Sequence, residues 1–301
     1  MTLPTFYIIG APRCGTTSLH AHCTQHPDIY MSHFKEPNYL IFRDGGPDVG
    51  GPDRDRVLRT SIRDMAAYEK RFAPGRGFAA VGEASVNYLR YPHVCEALRA
   101  LTPEARMVVI LRHPVERAYS SFRRSRRDGF EPLESFEEAW YDARRRNENW
   151  WTCQHRLKSE YGSQLRAYLE AFPRHQFRFF LFDDLRRDPT GLLRELFGFI
   201  GDDPAFVPDT SVKYNSSGEI TNPLLRTLWY RSRGARTRLA PFVPVALRGR
   251  LFPLIASKRE GANETTSLDP DLRYRLTRDI EDEILLTQDL IDRDLSHWLA
   301  D

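Results

Sequence analysis

The sequence is poor in lysine. Of its 44 basic residues only Lys35, Lys70, Lys158, Lys213 and Lys258 are lysines, so arginine carries nearly all the positive charge. Arginine offers a planar fork of donors suited to phosphate and sulfate; a coding bias toward arginine gives the same imbalance. The net charge is only +3, so bulk electrostatics does not call for a nucleic acid. Cysteine is sparse as well: Cys14, Cys23, Cys95 and Cys153, with no CxxC among them. That argues against a disulfide framework or a cysteine-rich zinc site. Cys14 and Cys23 lie near His20, His22 and His26, but at a spacing that matches no standard zinc pattern, and no metal is expected. The start of the chain lacks a basic segment followed by an apolar one, so no secretory signal is legible. No apolar run approaches the ~20 residues of a membrane span. A cytoplasmic protein without a transmembrane segment is expected.

What remains is an ordinary globular composition, 41% hydrophobic and 28% charged over 301 residues. A chain of that length buries a sizeable core without staples. Phe6–Ile9 reads as a buried strand that ends in Gly10, and a helical pattern runs from Thr16 to about His26. Met107–Leu111 is a second strand. Pro114 suits the first turn of a helix to about Arg127. Ser135 with Glu138 forms a capping-box signature ahead of a helix over 136–146. Ser159–Ala171 fits another helix, Phe177–Phe182 a third strand, and Asp188-Pro189 opens a helix closed by Gly201. Pro270–Leu299 reads as helical. Strands alternating with helices predict an α/β fold, one P-loop-like domain over 1–301 with a central parallel sheet flanked by helices on both faces.

Two segments stand apart from this framework. Residues 43–55, rich in Gly, Pro and Asp, read as a flexible surface loop. Between Glu219 and Glu260 there is no acidic residue but there are nine basic ones, interleaved with apolar side chains. This 220–262 segment reads as a basic, lid-like element or as a solvated helical hairpin.

The most informative stretch is Gly10-Ala-Pro-Arg13-Cys14-Gly15-Thr16-Thr17-Ser18, between a strand and a helix. Backbone amides in such a loop, with the helix N-terminus behind them, form an anion site. Thr16, Thr17 and Ser18 add hydroxyl donors. Gly10 and Gly15 have the spacing of a Walker A loop, but Thr16 stands where the lysine belongs, and Arg13 is the nearby cation. The loop therefore suits a phosphate and argues against a triphosphate with magnesium. Arg112 closes the second strand and Ser120 follows eight residues on. Ligands of open α/β sheets bind at the carboxyl ends of strands, so these two residues suit a further anionic group near the first loop.

Together the two segments resemble the sulfotransferases that use 3′-phosphoadenylyl sulfate (PAPS). Gly10–Ser18 looks like their 5′-phosphosulfate loop, and Arg112 with Ser120 like their 3′-phosphate motif. Phe34-Lys35-Glu36-Pro37-Asn38-Tyr39 is similar to the segment that supplies the base in the heparan-sulfate-type branch. Gly82-Glu83-Ala84-Ser85-Val86-Asn87-Tyr88 is similar to an acceptor-side segment there. Lys258-Arg259-Glu260-Gly261 loosely matches a loop over the donor's 3′-phosphate. In the family, a lysine usually stands where this chain has Arg13.

The resemblance implies a metal-free sulfuryl transfer from PAPS to a hydroxyl of a carbohydrate or specialised-metabolite acceptor. Cys14, Gly15, Thr16, Thr17, Ser18, Arg112, Ser120, Lys258 and Arg259 would bind the donor, and Arg13 would stabilise the leaving phosphate. Glu36 is the first candidate base. His33 is the rival, since small-molecule sulfotransferases use histidine, and Glu83 is a third. Lys35, Glu83 and Tyr88 are expected on the acceptor side, and Trp150 and Trp151 are further candidates there. Two other functions compete: a P-loop kinase or NTPase, and a nucleic-acid-binding protein acting through 220–259.

Overall fold

This structure, a computed structural model, describes residues 1–210 and 268–300. The basic 220–262 segment, with Lys258 and Arg259, lies outside the described residues, and so does the stretch on which the nucleic-acid reading rests. Five strands form one sheet: β1 Phe6–Gly10, β2 Ile29–Met31, β3 Ala80–Ala84, β4 Arg106–Leu111 and β5 Phe177–Leu181. Their order is β2-β3-β1-β4-β5, and every pairing is parallel. All residues of β1 and β3 are buried. Successive strand residues point to opposite faces, so both faces of the sheet are covered, as the βα alternation requires. Among the described residues no helix is long and apolar enough to cross a membrane.

The predicted strands and main helices are present, with boundary changes that have local causes. The first helix is Thr16–Cys23 and stops short of His26. The His26 ring instead packs against Phe197 and Phe206, and its Nδ1 accepts from the Asp28 amide at 3.2 Å. The helix opened by Ser135 breaks after Tyr141 and resumes at Arg144–Asn147. At the break the Asp142 carboxylate takes the Arg144 amide and guanidinium. The turn also lets Arg145 reach Glu131 through paired bonds of 2.7 and 2.8 Å, with His155 2.8 Å from the same carboxylate. The C-terminal stretch is three helices, Pro270–Arg278, Glu281–Ile291 and Ser296–Leu299, because Ile280, Ile291, Leu295 and Trp298 all turn inward.

Two strands were not anticipated. β2 is only three residues long. β3 reads AVGEA, with a glycine and a glutamate where an apolar run would be expected. A Cβ on Gly82 would stand 2.3 Å from both Met31 Sδ and Phe6 Cζ, so only glycine allows this approach. The 43–55 stretch is exposed at Asp44–Gly46 but anchored at Val49 and Asp53, both buried. Arg56 reaches Asp53 at 2.6 Å and Thr152 at 3.2 Å.

A cleft at the carboxyl ends of β1 and β4

Strand order reverses around β1, which has β3 on one side and β4 on the other. The loop after β1 and the Arg112 segment after β4 therefore emerge side by side, at the place where such sheets bind ligands. They open onto a cleft of about 1050 Å³. Its walls include Arg13, Gly15, Thr16, Thr17, Ser18, Lys35, Glu36, Arg112, Ser120 and Trp151 of the residues singled out from sequence.

The loop after β1 is curled by left-handed backbone at Arg13 (φ 71°) and at Gly15 (φ 92°), which caps the Thr16–Cys23 helix. Alternation of this kind turns successive amides to one side, and the helix dipole adds its positive end there. A side chain at Gly15 would also meet Leu185 Cδ2 at 2.7 Å. Arg13 Nε donates to Ser120 Oγ at 3.1 Å, joining the two predicted anion motifs directly. Burial, then Arg124, Arg127 and Arg112, lower the Arg13 pKa to about 10. The guanidinium stays charged at neutral pH, amid repulsion that an anion would relieve. Arg112 is held by Glu116 at 3.1 and 3.3 Å and lies over the Phe182 ring, 5.0 Å from its centre.

Lys35 links the loop to the candidate base. Its Nζ is 3.5 Å from Thr16 Oγ1 and 3.2 Å from Glu36 Oε1. Burial would raise the Glu36 pKa, but Lys35, Lys158 and Arg124 outweigh it and hold the carboxyl below its usual range. Glu36 is thus an anion in the cleft lining at neutral pH. Backbone bonds seat it: its amide donates to Ala84 O at 2.9 Å.

Other expected site residues lie elsewhere. His33 is exposed and outside the cleft lining, edge-on to Tyr30. Cys14 is fully buried, its Sγ 3.8 Å from Tyr161 Oη, and burial pushes the thiol up to about 11. Glu83 and Tyr88 are fully buried and do not line the cleft, which corrects the expectation that they touch an acceptor. The reason is the tight β3 packing: the Tyr88 hydroxyl is taken by the Leu40 amide, and Tyr68 donates to Glu83. Trp150 is also absent from the lining.

The cleft holds cations that sequence reasoning did not assign. Arg123, Arg124 and Arg127 follow Ser120 at helical spacing, and all line it. The i, i+3, i+4, i+7 pattern was legible once the Pro114–Arg127 helix was drawn. Lys158 carried no such signal. It arrives on a single turn, Leu157–Ser159, and its Nζ donates to Trp151 O at 2.5 Å. Burial, then Arg90 and Arg117, lower its pKa to about 7.

The sulfotransferase family profile matches residues 4–203. The crystal structure of a sulfotransferase from Alicyclobacillus acidocaldarius is similar over 100% of both chains, with a TM-score of 0.76 and 30% identity. Human carbohydrate sulfotransferase 15 is 30% identical over 154 residues, 40% of this chain and 27% of that protein. A bifunctional heparan sulfate N-deacetylase/N-sulfotransferase 1 from Caenorhabditis briggsae is 25% identical over 237 residues, 72% of this chain and 24% of that one. The chain spans about a quarter of the length of these curated relatives. With a profile match covering well over half of its length and a parallel five-stranded sheet, the chain belongs to the sulfotransferase family.

Proposed function

We propose that the enzyme transfers a sulfuryl group from PAPS to a hydroxyl of a carbohydrate or specialised-metabolite acceptor. The observation that carries this reading is the Arg13–Ser120 hydrogen bond, which makes one continuous cradle of two anion motifs on neighbouring strands. The cleft volume suits a nucleotide with an acceptor beside it. The hydroxyls and amides at Thr16–Ser18 suit a 5′-phosphosulfate, and Arg112 with Ser120 suits a 3′-phosphate.

The donor supplies a sulfuryl group bound through oxygen to its 5′-phosphate. Glu36 takes the hydroxyl proton of the acceptor as the acceptor oxygen bonds to sulfur. Arg13 and the loop amides receive the charge left on the 5′-phosphate when the old S–O bond breaks. Preorganised donors of this kind can each lower a barrier by about 3 kcal/mol. Arginine does not readily surrender a proton, so Arg13 acts as a fixed charge. Lys35, between Thr16 and Glu36, places a second cation on the path between leaving group and base.

The test is calorimetric titration with adenosine 3′,5′-bisphosphate, followed by an acceptor screen with PAPS labelled in the sulfuryl group. Binding of the bisphosphate together with label transfer to a hydroxyl supports the reading. Absence of nucleotide binding overturns it.

A further inference from the structure

Arg112 leaves the sheet through a turn, Arg112-His113-Pro114, and each of its three residues is tied down from a distant part of the chain. The Arg112 carbonyl lies just past the end of β4 and receives the Tyr161 hydroxyl at 3.0 Å. The buried His113 ring reaches Trp298 O at 3.0 Å. Pro114 O accepts from Ser159 Oγ at 2.8 Å. Arg117, fully buried, orients that serine by donating its Nε to the same oxygen at 2.8 Å. A backbone carbonyl beyond the sheet ladder needs such a donor, and here the donors come from one short segment, 159–161.

Tyr161 does more than satisfy a carbonyl. It is buried, opens the Tyr161–Ala171 helix and does not line the cleft. A phenol has one proton to give and oxygen lone pairs that still accept. With the proton committed to Arg112 O, the Cys14 thiol 3.8 Å away is the donor of the next bond, Pro12 O at 3.7 Å being its other acceptor. One hydroxyl therefore touches both anion motifs from outside the cleft, as the Arg13–Ser120 bond joins them within it. The far end of Arg112 is held by Glu116 and the Phe182 ring. Its near end, the backbone, is held by Tyr161.

We propose that Tyr161 is a positioning residue for the nucleotide cradle: its hydroxyl holds the Arg112 carbonyl and so sets the direction from which the Arg112 guanidinium meets a 3′-phosphate. The effect passes through Arg112, and Tyr161 touches neither donor nor acceptor. A thiol is a weak donor, so the Cys14 contact adds little on the 5′ side. The assignment rests on the nucleotide reading under Proposed function, because its readout is a bisphosphate.

The test is isothermal titration of adenosine 3′,5′-bisphosphate and adenosine 5′-monophosphate on the full native chain, Tyr161→Phe, Arg112→Ala and the double variant. Tyr161→Phe removes one oxygen and keeps the ring. It should weaken the bisphosphate about fivefold, the scale of one hydrogen bond, and change the monophosphate by less than about twofold. Added to Arg112→Ala, it should have no further effect, because the guanidinium it places is gone. A merely structural role would lower the melting temperature without separating the two nucleotides. Unchanged bisphosphate affinity, equal weakening of both nucleotides, or additive losses in the double variant would each overturn the proposal. Should Tyr161→Phe fail to fold, 4-aminophenylalanine at position 161 decides, since it keeps an N–H donor on the same ring. Bisphosphate affinity within about twofold of native then supports the proposal, and a selective loss of it refutes the hydrogen bond. A native chain that binds neither nucleotide removes the nucleotide reading and this proposal with it. Native binding that Tyr161→Phe leaves untouched refutes the role of Tyr161 alone.

Discussion

Replacing Arg112 by alanine tests the nucleotide cradle without requiring a known acceptor. Arg112 already has its geometry before any ligand arrives, with two bonds to Glu116 and the Phe182 ring beneath it. Little rotamer freedom is left to lose on binding. A charge-assisted hydrogen bond to a phosphate contributes about 1.5–3 kcal/mol. The Glu116 carboxylate would not be stranded in Arg112→Ala, because Arg273 stands 3.7 Å away. The loss should therefore appear in binding more than in folding. Adenosine 3′,5′-bisphosphate should bind roughly 10- to 150-fold more weakly. Adenosine 5′-monophosphate, lacking the 3′-phosphate, should be nearly unaffected. Isothermal titration of both nucleotides on the native and variant enzymes measures the difference. Equal weakening of the two would mean that Arg112 acts through the general field of the cleft, and the 3′-phosphate assignment would fail.

Other expectations follow from the same geometry. Glu36→Gln should lower kcat by about 10²–10⁴ with bisphosphate affinity retained, as label transfer and calorimetry would show; full activity would move the base elsewhere. Because Lys35, Lys158 and Arg124 hold Glu36 below 4.5, the rate should stay level from neutral pH down to about that value and fall only in stronger acid. An acid limb near pH 6.5 would instead indicate a histidine. Arg145→Ala strands the buried Glu131 carboxylate and should cost about 3–5 kcal/mol in denaturant unfolding; a loss under 1 kcal/mol would show that the pair is dispensable. Burial would raise the Glu131 pKa, but His155 and Arg145 lower it from 4.5 to about 2. Its folded pKa is depressed, so its contribution is full above pH 4.5 and vanishes as pH falls toward 2. That contribution is roughly 3 kcal/mol, and thermal melts across this window would reveal it.

The two anion motifs of the cleft were legible because the residues of each sit close together in sequence. Gly10–Ser18 and Arg112–Ser120 each carry their own strand, turn and helix signals, so local pattern alone placed them at strand ends. The remainder depends on long-range packing. β3 was missed because Gly82 and Glu83 mask its strand character, and both are explained only by their neighbours, Phe6, Met31 and Tyr68. His33 and Glu36 could not be separated by spacing. The left-handed turn at Glu36 carries one into the cleft while the other stays on the outer surface. Glu83 and Tyr88 lie in a segment that resembles an acceptor wall, yet their side chains are sealed beneath it. Lys158 depends on a turn brought in from 122 residues beyond Glu36, which no local signal announces.

The placement of the two anion motifs on β1 and β4 has an evolutionary consequence. Those are interior strands, each bonded to neighbours on both sides. Phe130, Trp151 and Thr152 sit instead on connecting segments, and Arg56 on the short helix Arg54–Thr60. Such a division would let descendants exchange one partner molecule for another by altering these flanking positions, while the two anion motifs at the strand ends stay unchanged. A library randomised at those peripheral positions should yield altered selectivity without loss of nucleotide affinity, the signature of a frame that evolves at its rim.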